Sequence, residues 1–368
     1  MISGMQDQTN PMALSKTASL SVNSRGCILR PMERDGAFVQ LGNGIEVAFG
    51  DTRFFLDPRK VSTEGICCIS HAHSDHMPSS FAGGPIHCSD ITLRCMRGRV
   101  KSKKSKTFLE SVELGNDPSV KASGAGHILG SNMFLLDAGQ KVLYTGDFCP
   151  QDRLDIEGAR PQKCDVLIVE ATYGNPRYKF PDRREMIKVI HDWVDDMLNQ
   201  GYSAVLHAYP LGKSQELITM LKDFQPRLHG SVLDTTRMLE SDDLRFDYVP
   251  FDPMDSEPQL VISPGAWGEN GLSVLKKKRS ADVSGWCLDT RGRSMGKMGW
   301  GMDQGFAYSD HADFYEIIDF VEKCSPSLVY TNHGSEDMLA HEIRKRLGVT
   351  AIPLKKEKKG QTNLGCYC

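Results

Sequence analysis

Apolar residues in this chain come in short runs, and run after run ends on an acid or a histidine. Residues 37–41 and 45–49 alternate in period two around Gly42-Asn43-Gly44, which predicts a hairpin. Residues 53–56 predict a third strand that stops at Asp57. Ile66-Cys67-Cys68-Ile69 predicts a buried strand that discharges into Ser70-His71-Ala72-His73-Ser74-Asp75-His76. The design recurs: 141–145 leads to Gly146-Asp147, 165–169 to Glu170, and 328–332 to His333. Strands that all carry their polar residue at the C-terminal end predict one wet edge on an otherwise dry sheet.

The period changes to 3.6 over 184–200, where Met186, Val189, Ile190, Trp193, Val194, Met197 and Leu198 share a helical face and Gly201 is the stop. A strand at 204–208 and a helix at 215–224 follow, and 225–305 predicts a smaller α/β unit with short strands such as 260–262. Asp313 with Glu316 predicts a capped helix presenting Phe314, Ile317, Ile318 and Val321 inward, and Ser335 to Gly348 predicts the last helix. Residues 1–35 hold neither period and predict a flexible arm, as does the lysine-rich tail 355–368.

Length and composition narrow the class. At 368 residues the chain predicts two domains or one with a large insertion, and 40% hydrophobic with 25% charged residues is ordinary for a globular protein. No apolar run approaches the roughly 20 residues that cross a bilayer, and no basic-then-apolar leader opens the chain, so a cytoplasmic protein is expected. The 11 cysteines are scattered without a CxxC pair, which fits reduced thiols better than a disulfide framework. A net charge of -3 excludes a generally basic nucleic-acid binder; the lysine clusters at 101–106, 276–279 and 355–359 read first as solvated turns and second as contacts for a polyanion.

The chemistry concentrates at the strand ends. On an extended strand His71, His73 and Asp75 leave on one face while His76 turns in from the loop. Imidazole and carboxylate without thiolate suit zinc or a similar divalent ion. His71, His73 and His127 can hold one ion, Asp75, His76 and His333 a second, and Asp147 can bridge them. Such a pair polarises a phosphoryl oxygen and brings the pKa of a water toward about 7. His311 remains as an acid for a leaving alkoxide, with Glu170 to orient it and raise its basicity, and Asp57 is expected to orient a ligand imidazole. Gly212-Lys213-Ser214 imitates the end of a P-loop without its first glycine; Lys213 and Ser214 at a helix N-terminus are expected to meet a single phosphate.

These residues resemble the metallo-β-lactamase superfamily, specifically its β-CASP nuclease branch, over roughly residues 36–354. Asp57, the His71-Ala72-His73-Ser74-Asp75-His76 run, His127 and Asp147 match the four superfamily motifs; Glu170, His311 and His333 match the three of the branch. Gly126-His127-Ile128-Leu129-Gly130-Ser131, Ala171-Thr172-Tyr173-Gly174 and Tyr308-Ser309-Asp310-His311-Ala312-Asp313-Phe314 are most similar to short archaeal mRNA 3′-end-processing-factor-like proteins and to ligase-associated DNA exonucleases. The resemblance implies an αββα sandwich formed by 36–175 and 306–354, with an inserted α/β β-CASP cap at 176–305. It implies two zinc ions per chain and hydrolysis of single-stranded nucleic acid, with Asp75, Glu170 and His311 as catalytic residues. An RNA nuclease of 3′-end-processing type is the first expectation and a DNA exonuclease associated with ligation the second. A homodimer is compatible with the pattern. Pro58-Arg59 departs from the small residue that many relatives carry after the acid. An inactive scaffold of a processing complex conflicts with the presence of every ligand, and lactam or thioester hydrolysis conflicts with the long insertion and with His311.

Overall fold

The computed structural model describes residues 36–112, 114–154, 156–265, 271–288 and 302–355, with short pieces at 21–22 and 28–29. Most of the expected flexible arm and the tail beyond 355 lie outside the described residues, as does 289–301, most of the basic and aromatic segment 276–300 whose sequence also suggests contact with a polyanion.

The alternating runs build a first sheet. β1 (Phe38–Gly42) and β2 (Gly44–Phe49) form the expected hairpin, β3 (Thr52–Leu56) adds antiparallel, and β4 (Ile66–Cys68) and β5 (Ile86–His87) add parallel. Gly44 closes the hairpin at φ +80, where a Cβ would stand 2.5 Å from the Leu56 carbonyl oxygen, so only glycine fits. Period two sorts the side chains. Phe54, Leu56 and Cys68 enter one core, while Phe55 and Cys67 enter another with Leu93 and Met96 of α1 (Asp90–Arg99) and Leu109 of α2 (Lys103–Ser111).

A second sheet begins with β6 (Val120–Gly124), β7 (Asn132–Asp137), β8 (Lys141–Tyr144) and β9 (Val166–Ala171). The chain then leaves it for α3 (Arg183–Asn199), β10 (Ser203–His207), α4 (Lys213–Met220), β11 (Arg227–Leu228), α5 (Ser231–Leu239), β12 (Val249–Pro250), β13 (Leu260–Ser263), β14 (Lys278–Val283) and β15 (Gln304–Phe306). The six strands form one parallel sheet in the order β12-β11-β13-β10-β14-β15. Its core joins Ala204, Leu206 and Ile262 to Ile190 and Val194 of α3 and Leu217 of α4. Finally α6 (Phe314–Cys324), β16 (Leu328–Gly334), α7 (Glu336–Leu347) and β17 (Thr350–Pro353) return, and β16 and β17 complete the second sheet beside β9.

Val47, Phe54 and Leu56 of the first sheet meet Phe134, Val142 and Ile168 of the second. The opposite face of the second sheet, with Leu143, Leu167 and Val169, packs on Phe314, Ile317 and Val321 of α6 and on Leu339 and Ile343 of α7. The layers are therefore helices, sheet, sheet, helices, with the parallel sheet inserted between β9 and β16. Burying each such side chain contributes roughly 1.5–3 kcal/mol. Asp313 and Glu316 make the expected capping box at α6.

Three local expectations change. β4 ends at Cys68, and the His-rich run is a turn in which the His76 and Met77 amides both donate to the His73 carbonyl, so a turn and not strand alternation gathers its side chains. Val189 is exposed, because α3 buries only Ile190 and Val194 completely on a narrower stripe. The helix expected at 215–224 starts at Lys213 and closes as a separate 3-10 turn, Lys222–Phe224.

Candidate active site

Seven strand ends and loops meet on one side of the sandwich. The turn after β4 supplies His71, His73, Asp75 and His76. His127 comes from the loop joining β6 and β7, where Gly126 adopts φ +68 with room for no Cβ, since one would lie 2.2 Å from the Cys149 carbonyl oxygen. Ser131 Oγ accepts from both the His127 and Ile128 amides at 3.1 Å and closes that loop. Asp147 follows β8, and Glu170 lies near the end of β9. His333 is the extra residue of a bulge: Glu170 pairs with Asn332 and Ala171 with Gly334, and His333 takes φ 62. A left-handed non-glycine backbone stores strain, and here it turns the imidazole toward the cluster.

His73 Nδ1 lies 3.1 Å from both His71 Nε2 and His127 Nε2, and Asp147 Oδ2 lies 3.6 and 3.8 Å from those two Nε2 atoms. Donor atoms of a tetrahedral shell with bonds of 2.0–2.1 Å stand about 3.3 Å apart. A second group joins it through Asp147. His76 Nε2 is 3.4 Å from Asp147 Oδ2, His333 Nδ1 3.4 Å from Asp147 Oδ1, and His333 Nε2 3.2 Å from Asp75 Oδ2.

The outer nitrogens decide what the inner ones present. His73 Nε2 faces the Leu211 carbonyl and His127 Nδ1 the Asp310 carbonyl, each at 3.0 Å, and His76 Nδ1 faces Asp57 at 2.6 Å. All three partners only accept, so each imidazole donates outward. Ser70 Oγ donates to Asp57 Oδ2 and is left to accept from His71 Nδ1 at 3.0 Å. His71, His73 and His127 therefore turn bare lone pairs inward, and their close nitrogen pairs at 3.1 Å cannot be hydrogen bonds; burial opposes charge on His76, but Asp147 and Asp57 on either side of it raise its pKa well above the ordinary value. Burial first, then neighbouring imidazoles, holds His71 and His127 well below their ordinary pKa and keeps them neutral, and burial lowers His73. Burial opposes charge on Asp147, yet His76 and His333 outweigh it and keep the carboxyl well below its usual range. Asp147 Oδ1 and His333 Nδ1 are buried without a hydrogen-bond partner. Converging lone pairs around a buried carboxylate fit a metal cofactor.

Asp57 sits beneath this cluster at φ 46, accepting from the Ser70 amide and hydroxyl, His76 and the Tyr144 hydroxyl. His311 stands beside His127 with ring centroids 4.4 Å apart, and its Nδ1 is 2.9 Å from Glu170 Oε2. Burial works against charge on His311, but Glu170 prevails and its pKa is pushed up to about 9. The cluster opens on a cleft of about 290 Å³ lined also by Tyr209, Tyr173 and Trp286.

Lys213 and Ser214 require a correction. Both side chains are buried: the Lys213 ammonium is enclosed between Glu216 and Asp310, and Ser214 Oγ donates to the Tyr209 carbonyl. Neither is free to meet a phosphate, because α4 starts at Lys213 and folds its first turn into the interior. Sequence reasoning also missed Tyr144, Arg153, Leu211 and Glu216. Arg153 and Glu216 lie 63 positions apart without a local motif to link them. Asp310, adjacent to His311, carried a signal in its position.

Among the described residues no helix is long and apolar enough to cross a membrane. Residues 304–352, which include β16 and His333, match the model of the Zn-dependent metallo-hydrolase RNA specificity domain. A probable DNA ligase of Opitutus terrae is 32% identical over 76% of this chain and 28% of its own length. Cleavage and polyadenylation specificity factor 73 of Drosophila melanogaster is 29% identical over 86% of this chain and 59% of its own. The 5′ exonuclease Apollo of Danio rerio is 25% identical over 70% and 46%. The chain thus spans about a quarter to three fifths of the length of these relatives. The layered sandwich with its inserted parallel sheet, the match across the returning strand and the similarity to these relatives all support the β-CASP branch of the metallo-β-lactamase superfamily.

Proposed function

We propose that this protein is a zinc-dependent phosphodiester hydrolase of single-stranded nucleic acid, acting on RNA, with residues 176–305 as its β-CASP cap. The observation that carries this reading is the inward-facing set of imidazole lone pairs beside a buried His311–Glu170 pair at the floor of an aromatic-walled cleft. His71, His73, His127 and Asp147 would hold one zinc ion, and Asp75, His76, His333 and Asp147 a second. Bound there, the ions would supply Lewis-acid polarisation at phosphorus and a nucleophilic water at neutral pH.

The remaining steps belong to the protein. Asp75, half exposed at the cleft and held by His333, which keeps its carboxyl well below the usual range, accepts a hydrogen bond from the attacking water and orients it. His311 donates Nδ1–H to Glu170, which leaves Nε2–H to protonate the departing oxygen. Tyr209 and Trp286, both substantially exposed, offer ring faces to unpaired bases, and Arg99, which donates to the Ala72 carbonyl, also lines the cleft. Asp57 fixes the tautomer of His76.

The choice of RNA is supported by the RNA-specificity match. DNA as the substrate is the second reading, favoured by the similarity to a probable DNA ligase and to a 5′ exonuclease. A time course on end-labelled RNA and matched single-stranded DNA tests both, using wild type, Asp75→Ala and wild type with chelator. Cleavage of RNA that chelator and Asp75→Ala both abolish is expected. Cleavage of DNA alone would replace the first reading by the second, and inactivity on both would overturn the hydrolase.

A further inference from the structure

One inward-facing imidazole, His73, and the loop that carries another, His127, are tied to a segment outside the sandwich. The Leu211 carbonyl, in the loop between β10 and α4, accepts from His73 Nε2 at 3.0 Å. Gly212 follows at φ +95, so close to the His127 loop that a Cβ would lie 2.3 Å from Ile128 Cγ2. The first turn of α4 then presents Glu216, whose carboxylate meets Arg153 Nη1 at 2.7 Å with both side chains buried. Arg153 Nη2 in turn donates to the carbonyls of Gly126 and His127. The Tyr308 hydroxyl donates to the other Glu216 oxygen at 2.5 Å. His76 and His333 have no such tie: their partners are Asp57, Asp75 and Asp147, all from the sandwich.

We propose that the segment 209–216 is the positioning element of one ion position and not of the other. Glu216, acting through Arg153, holds the His127 loop, and the Leu211 carbonyl holds the His73 tautomer. Seating of the parallel-sheet side and retention of the ion at His71, His73, His127 and Asp147 are then one coupled equilibrium. The inference rests on the reading of the two groups as ion positions. An acceptor on the outer nitrogen fixes which lone pair a ligand imidazole offers, and losing such support weakens metal binding about 10–100-fold. The coupling is reciprocal, so the ion at this position also holds the segment in place.

The test is a cobalt(II) titration of metal-free protein against a competing chromogenic chelator, followed by the d–d bands of each equivalent. Glu216→Gln keeps the shape and removes the charge; Gly212→Ala forces the loop away from Ile128. In each, one equivalent is expected to weaken about 10–100-fold while the other stays at its wild-type affinity. His333→Ala should give the opposite pattern. Tyr308→Phe, which removes only one donor to Glu216, should weaken the same equivalent by a smaller factor and serves if Glu216→Gln does not fold. In wild type, hydrogen exchange of amides 209–216 should slow when cobalt is added. Folded variants that bind both equivalents as wild type does, or amides 209–216 that exchange alike with and without the ion, would overturn the coupling. Wild type that takes up no ion would overturn the metal reading and this inference together, whereas two ions bound by wild type and by unperturbed variants would remove the coupling alone.

Discussion

Replacing Asp57 by Asn isolates one negative charge beneath the site. Asn tolerates the left-handed backbone that residue 57 adopts at φ 46, so the substitution leaves the turn unstrained. Four donors reach the two carboxylate oxygens: the Ser70 amide at 2.6 Å on one, and the Ser70 hydroxyl, His76 Nδ1 and Tyr144 hydroxyl at 2.6, 2.6 and 2.7 Å on the other. An amide has a single oxygen. In its better orientation it keeps three donors and turns its NH2 against the Ser70 amide, losing a charge-assisted bond worth roughly 1.5–3 kcal/mol and leaving a buried donor facing a donor. The lost charge also weakens the bond to His76, for a total near 3–5 kcal/mol, the usual cost of breaking a buried charged pair. The unfolding free energy of the chelated protein should fall by that amount, read as a urea midpoint lowered by the same figure divided by an unchanged m. The ion held by Asp75, His76 and His333 should bind about 10–100-fold more weakly. A loss below about 1 kcal/mol, on the scale of a single neutral hydrogen bond, together with wild-type metal affinity, would refute the reasoning.

The pH profile tests the His311 assignment: its pKa is raised to about 9, so the acid is protonated below that value and activity falls as pH rises through it. Bound cations pull the other way, so the alkaline limb of kcat lies below 9, and Glu170→Gln should move it further toward the ordinary imidazole value of 6.5; a limb that stays in place removes Glu170 from the role. Gly126→Ala should cost roughly 2–4 kcal/mol in denaturant titration, from the left-handed backbone and from contact with the Cys149 carbonyl. Trp286→Ala should raise KM for single strands about 5- to 100-fold with kcat retained, the worth of one stacked base; an unchanged KM excludes it from the substrate path. Zinc at about 100 times its dissociation constant should stabilise the protein by about 2.7 kcal/mol, read as a rise in the urea midpoint that chelator reverses.

The amino-acid sequence by itself determined the elements and the identity of the polar cluster. Short apolar runs ending on an acid marked 53–56 and 165–169 as the strands that carry Phe54 and Ile168, and period 3.6 with the Asp313–Glu316 box placed α6, because these signals are local and complete within a few residues. The residues at the strand ends were legible for the same reason: an acid or imidazole directly after a buried strand has few places to go. What only the tertiary structure decided is which way each group faces. The bulge that turns His333 inward depends on β9 pairing with β16, across more than 150 positions. The outward protons of His73 and His127 depend on carbonyls 138 and 183 positions away. Lys213 and Ser214 carried a phosphate-like sequence signal, yet the docking of α4 against Arg153 and Asp310 buries both. Local patterns encode what a residue is and which element it joins; the direction of a lone pair, and whether a cation meets solvent or a buried carboxylate, are properties of contacts that exist only once distant segments have packed.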